Sequence, residues 1–440
     1  MEPGVAATAY AAETAVEGAV GAAFAIAKAT MPLKATWKRI PANDPLPRSS
    51  HSLSVIKGKA YIFGGEEQPR EPVSDEMHIY TLPSSGVSEA DYQKVAAQAS
   101  PDGGEIPPPR VGHTANAVGD KIYIFGGRGG KAMQPLEESG RVWVYDTKLS
   151  SWSFLDPLYD SPYPAARSYH ASAATIHPQN SDQDHNANPV ESPGSEIYGT
   201  LFIHGGCPAS GRVADVWAFD TMARMWSPLP DAPGPARGGP SLTFAQNRLY
   251  RYGGFDGRDE LGGLDYLDLS ISISNDKGGS GELAVTPLAG KWETVPFPAE
   301  AKTPGHRSVA GLQPITTGQG RNYLLLFLGE RDPSSLGHAG AGKFYNDVWS
   351  YQLRPDGMTA ASFKDATRRL VCAKTGEGDW TLVEIPEATM TKGELEHPGP
   401  RGWFASTHWH DVDSASIVLW GGVKSNNTRA NDGWILTLEV

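Results

Sequence analysis

The sequence predicts an all-β protein built as a closed ring of six similar four-stranded sheets, and three observations carry that prediction. Arginine opens six β-rich segments, at Arg48, Arg110, Arg167, Arg237, Arg307 and Arg401, each running into an aliphatic or aromatic strand that ends at glycine. Five of these strands close on a glycine pair: Gly64-Gly65, Gly126-Gly127, Gly205-Gly206, Gly253-Gly254 and Gly421-Gly422. The strands are rich in Tyr, Ile, Phe, Val and Trp, and 50 Gly and 35 Pro punctuate them, as short strands and many turns require. A fixed internal repeat makes one body of the 440 residues, where length alone would allow two or three domains.

Residues 1–34 form an N-terminal extension and 35–440 the repeat domain. In the extension, Ala6 to Ala29 is Ala-rich and suits a short helix or a disordered lead. Its acids Glu2, Glu13 and Glu17, against a single Lys28, argue against a signal peptide or mitochondrial presequence. Each repeat then reads as four strands, most plainly in the second: His113 to Val118, Lys121 to Phe125, Arg141 to Tyr145, and Ser151 to Leu155 around Trp152. Gly119 suits the tight hairpin between the first two because glycine accepts positive φ. The fourth-strand aromatics are Tyr92, Trp152, Trp226, Trp292 and Trp380, one fewer than the repeats. Trp37 supplies the sixth from the other end of the chain, so an N-terminal strand is expected to complete the last sheet and close the ring. Three insertions, His177 to Tyr198, Ser270 to Thr286 and Arg354 to Glu377, read as surface loops or disordered excursions.

These signatures resemble kelch repeats, which implies a six-bladed β-propeller over about Ala35 to Val440. A galactose-oxidase-type propeller belongs to the same broad group, but no matching Tyr/Cys/His set is present.

Net charge of −12 without runs of Lys and Arg excludes a general nucleic-acid surface. Cys207 and Cys372 are too few for a disulfide framework and read as reduced thiols of a cytoplasmic protein. No uncharged apolar run of about 18 residues offers a membrane span.

Chemistry has three candidates. The six arginines are equivalent, so they form either a cationic ring that attracts anions or a set of staples to backbone carbonyls and neighbouring blades. His51, His113 and His170 each follow their arginine by three residues, which points to a shared framework role. The fifth repeat departs from the pattern, reading Leu328-Gly329-Glu330 and continuing through Asp332, Ser334 and His338. Carboxylate plus imidazole suits Fe(II), Mn(II) or Zn(II), while the same residues also suit an ordinary surface loop.

The stretch Gly329 to Gly342, followed by Asn346-Asp347-Val348-Trp349, resembles the metal loop of nitrile-specifier and thiocyanate-forming proteins, whose pattern is Glu-x3-Asp-x3-His. The resemblance implies Fe(II) held by Glu330, Ser334 and His338, with serine at the family's aspartate position and Asp332 two residues away as a substitute. It further implies that Arg110 and Arg167 hold an anionic sulfate, that Trp403 walls the pocket, and that the activity is specifier- or lyase-like on an anionic small molecule. The alternative is a non-catalytic scaffold whose loops present a surface to a protein partner.

Overall fold

The computed structural model describes residues 31–42, 44–83, 91–176, 197–273, 283–336, 340–386, 397–411 and 414–439. The Ala-rich segment and the 177–196 part of the first insertion lie outside them.

Six four-stranded antiparallel sheets form the blades of a propeller. Blade 1 runs through Ser52–Ile56, Lys59–Phe63, Met77–Thr81 and Tyr92–Val95, and blade 2 through Thr114–Val118, Lys121–Phe125, Val142–Asp146 and Ser151–Leu155. Blade 3 comprises Ala171–Thr175, Thr200–His204, Val216–Asp220 and Met225–Leu229; blade 4 comprises Ser241–Ala245, Arg248–Tyr252, Leu264–Ile273 and Leu283–Thr294. Blade 5 holds Gly311–Thr316, Asn322–Phe327, Val348–Gln352 and Trp380–Leu382. Blade 6 takes Ala405–Asp411, Ser414–Trp420 and Gly433–Glu439 from the C-terminal end, and Lys34–Ile40 from the N-terminal end as its outer strand. Trp37 pairs with Leu436 in that strand, so both chain ends close one sheet.

Burial explains the aromatic positions. The fourth-strand rings pack on the end of the second strand of the preceding blade: Trp152 on Phe63, Trp226 on Phe125, Trp380 on Tyr252 and Trp37 on Phe327. Such contacts seal the blade interfaces with large apolar surface and favourable ring geometry. The first strands of successive blades face one another around the axis. There His113 reaches Ser52 of blade 1 at 2.9 Å and His170 reaches Thr114 of blade 2 at 2.8 Å, the framework role expected of them. His51 faces blade 6, where Ala405 stands at the Ser52 position, and its Nε2 has no partner among the described residues.

The arginine starts and glycine ends share one face of the ring. The hairpins joining strands one and two, and the connections from strands three to four, share the other, and all three insertions leave from it. Two of them differ from the loops expected. Blade 4 extends its outer strands to Ile273 and from Leu283, shrinking the second insertion. The third folds into a helix, Ala360–Leu370, opened by a capping box between Thr359 and Ser362. Asp365 of that helix forms a buried two-pronged ion pair with Arg321 at 2.7 and 2.9 Å, which anchors it to blade 5.

Candidate functional site

Five of the six arginines are staples, while Arg48 instead bonds Glu67 and the Pro47 carbonyl. Nη1 of Arg110, Arg167, Arg237, Arg307 and Arg401 donates to the carbonyl of the residue that starts the glycine pair, at 2.9 to 3.1 Å. In the fifth repeat that residue is Leu328, which takes the glycine's left-handed conformation at φ 54°. Arg110 also forks onto Glu138, Arg167 onto Asp215, Arg307 onto Asp347 and Arg401 onto Asp432. Trp143, Trp217 and Trp349 donate to three of the same carboxylates. Arg110 and Arg167 are 0% and 1% exposed, their donors already engaged, and neither lines the cavity described below. Of the two roles open to the arginine ring, the buried geometry of these two corresponds to stapling, because each finds its acid within its own repeat.

Two residues past each arginine, the chain turns left-handed in every blade: Ser50, Gly112, Tyr169, Gly239, Val309 and Trp403, with φ from 44° to 62°. The N–H of each donates to the carbonyl of its counterpart in the preceding blade, at 2.7 to 3.3 Å, and the circle closes from Ser50 to Trp403. This cyclic hydrogen-bond belt floors one mouth of the axial channel. Val309 is a β-branched residue at φ 44°, a conformation that survives only where the surroundings fix it.

Above the belt stands a wall built by two further equivalent positions. The residue after each glycine pair bridges the residue after each arginine: Glu66 to Ser49, Arg128 to Val111, Cys207 to Ser168, Phe255 to Gly238, Glu330 to Ser308 and Val423 to Gly402. The chain then loops out and returns beside it at Pro72, Pro135, Glu260, Phe344 and Arg429, with Arg212 in the same place in blade 3, where Val213 N–H bonds Gly206. Belt and wall enclose a cavity of about 300 Å³ whose aromatic lining is Tyr169, Phe255, Phe344 and Trp403, and whose polar lining includes Glu66, Arg212, Glu330 and Arg429.

Three seams bring a charged return residue against the next blade, and they differ. Where blade 6 meets blade 1, Arg429 donates to Ser49 at 3.2 Å and to Glu66 at 2.8 Å, a buried, satisfied ion pair. Where blade 3 meets blade 4, the partners are Gly238 and Phe255. Arg212 therefore lies over the Phe255 ring at 4.9 Å, and its buried Nε has no acceptor among the described residues. Where blade 4 meets blade 5, the return residue is Glu260. It accepts from Ser308 at 3.1 Å, its second oxygen is buried without a partner among the described residues, and the neighbouring wall residue is the acid Glu330.

The residues expected at the site are partly brought together. Glu330, Ser334 and Trp403 all line the cavity. Burial pushes the Glu330 carboxyl up to about 7 despite donors from the Gly342 N–H and the Trp403 side chain. Asp332 turns outward to Lys343 at 2.6 Å. His338 lies outside the described residues, and among the described residues no three His, Cys, Asp or Glu side chains group as metal ligands. Cys207 also lines the cavity, and burial pushes its thiol up. Arg212, Glu260 and Arg429 were not singled out in the sequence, although a signal existed for Arg212 and Arg429. In three repeats the return residue stands three before an Asp-x-Trp triplet: Arg212 before Asp215, Phe344 before Asp347 and Arg429 before Asp432.

Comparison with known proteins agrees with this geometry. A KLHDC2/KLHL20/DRC7 Kelch-repeats domain model matches residues 29–180. The chain is 25% identical over 421 residues to N-(sulfonatooxy)prop-2-enimidothioate sulfolyase of Thlaspi arvense, spanning 91% of this chain and 96% of that protein. It is 32% identical over 160 residues to host cell factor 1 of Rattus norvegicus, which is 32% of this chain but only 7% of that protein. Among solved structures, YjhT superposes over 91% of this chain and 99% of its own at a TM-score of 0.54 and 14% identity, a likeness of fold alone. The chain is a kelch-repeat six-bladed propeller, moderately similar along most of its length to a sulfolyase and over shorter spans to other kelch proteins. Among the described residues no helix is long and apolar enough to cross a membrane.

Proposed function

We propose that the belt-and-wall cavity binds a small sulfated anion and that the chain performs a specifier- or lyase-like reaction on it with the help of Fe(II). The observation that carries the reading is Arg212: a guanidinium on the wall of a small aromatic cavity, with a buried donor that nothing in its own seam engages. A planar donor fork in a water-poor site suits sulfate, and the four aromatic residues suit a short apolar chain attached to it. The length of the sulfolyase similarity supports the same substrate class.

For Fe(II), Glu330 and Ser334 fit in kind: a buried carboxyl and a hydroxyl on one wall, with no ion pair formed by Glu330 among the described residues. They would hold the ion with His338. When bound it supplies a Lewis acid for a sulfur or nitrogen of the ligand. Arg212 would hold the sulfate as negative charge gathers on it, and the aromatic wall would keep water from the rearranging group.

A second reading, a scaffold for a protein partner, is favoured by one separate surface: Leu158 and Tyr159, 52% and 95% exposed on a turn outside the cavity.

Anaerobic purification with Fe(II), followed by elemental analysis, calorimetry with 4-nitrophenyl sulfate and product analysis with the sulfolyase substrate, tests the proposal. Arg212→Gln should weaken the anion about 10- to 100-fold, the worth of a charged hydrogen bond. Glu330→Ala and His338→Ala should lose iron. No anion binding by the wild type would overturn the reading, and anion binding without iron or turnover would leave the scaffold.

A further inference from the structure

The pseudo-sixfold repeat places the same three backbone positions at the seam between blades 6 and 1 and at the seam between blades 4 and 5. In the first they are Arg429, Ser49 and Glu66; in the second, Glu260, Ser308 and Glu330. The serine hydrogen-bonds the return residue in both, at 3.2 Å in one and 3.1 Å in the other. The wall acid is conserved in kind between the two seams, and only the return residue changes, from arginine to glutamate. A guanidinium balances Glu66, whereas the return residue at the seam of Glu330 is a second acid.

We propose that Glu260 and Glu330 together seat a cation at the blade 4/5 seam, in the position that the Arg429 guanidinium takes at the blade 6/1 seam. Three observations argue for it. Glu260 is only 6% exposed, and its second oxygen has no hydrogen-bond partner among the described residues. Most buried side-chain polar atoms are matched, and this is the one buried carboxyl oxygen among the described residues that is not, which points to a ligand there. Glu330 is equally buried and lines the cavity, so a cation there is reachable from the mouth.

The consequence bears on the fifth repeat's loop. Ser334 stands where a carboxylate was expected, and Asp332 is engaged outside by Lys343. Glu260 supplies the missing carboxylate from the neighbouring blade rather than from the loop. The cation is either a hard divalent ion, for which two carboxylates and a hydroxyl are suitable donors, or the ammonium or guanidinium end of a ligand whose anionic end meets Arg212. The inference shares Glu330 with the proposed iron-assisted reading and does not need the sulfated anion.

The full chain is titrated with Mn(II), followed by the loss of its free electron-spin signal, and separately with agmatine by calorimetry. Binding of Mn(II) identifies a metal site and binding of agmatine alone an organic cation; either supports the proposal if Glu260→Gln weakens it at least tenfold. Glu260→Arg, which rebuilds the blade 6/1 pair, should abolish binding and raise Tm. The proposal is overturned if the wild type binds neither probe, if Glu260→Gln binds as the wild type does, or if Glu260→Arg still binds. Measuring 4-nitrophenyl sulfate on the same three proteins separates the two readings: retained anion binding with no cation binding sinks this inference alone.

Discussion

The seam between blades 6 and 1 and the seam between blades 4 and 5 have one backbone and opposite electrostatics. In the first, Arg429 and Glu66 neutralise each other out of water, and Ser49 and the Arg70 N–H complete the acid's shell. In the second, Ser308 bonds Glu260 through its hydroxyl and Glu330 through its backbone, and neither acid has an ion pair among the described residues. Because the belt of backbone hydrogen bonds runs unbroken past both, the fold does not depend on which arrangement is present. A satisfied seam reads as structure. An unsatisfied seam opening on a cavity reads as a place where the protein holds something, since isolated buried charge is tolerated poorly unless a partner arrives.

The comparison can be broken from either side. Arg429→Met leaves Glu66 buried without its counter-charge and should cost about 3 to 5 kcal/mol, measured by urea unfolding. An unchanged midpoint would mean that the satisfied seam is not structural. Glu260→Arg should do the reverse and add about 2 kcal/mol, the range of a hydrogen bond to a charged group; a loss of stability would show that the two seams are not equivalent. Ala405→Ser tests the same reasoning one layer inward. It gives His51 the hydroxyl that His113 finds in Ser52, and should add roughly 1 kcal/mol.

A separate test is the pH dependence. Glu260 is raised from 4.5 to about 8, so between those values the native state holds a proton that the unfolded state has lost. Its contribution to stability is therefore full below about 4.5 and falls as pH rises toward 8. Glu260→Gln should remove this loss, so the stability difference between variant and wild type should widen from pH 5 to pH 8 in parallel unfolding curves. A constant difference would mean that Glu260 titrates normally.

The fold was legible because its signals are local and repeated. Glycine pairs need positive φ wherever they occur, and Trp37 could be matched to Trp152 and Trp226 by type alone. The helix at Ala360–Leu370 was missed since its capping serine and threonine read equally well as loop residues, and its anchor is a long-range pair with Arg321. At the site, Glu330, Ser334 and Trp403 were found through the family likeness and do line one cavity. Arg110 and Arg167 looked free in the sequence because the acids that hold them, Glu138 and Asp215, lie 28 and 48 residues on. Arg212, Glu260 and Arg429 were hidden by loops of unequal length after the glycine pair. The offset to Asp-x-Trp aligns Arg212 with Arg429, and backbone pairing alone puts Glu260 in register with them.

What joins these findings is the claim that charge left unpaired by the repeat marks the ligand site, and Arg212 tests it most directly. Calorimetric titration of 4-nitrophenyl sulfate into the wild type and Arg212→Gln should show binding to the first and at least tenfold weaker binding to the second, with Tm unchanged. Equal affinities, or no binding to the wild type, would contradict the account.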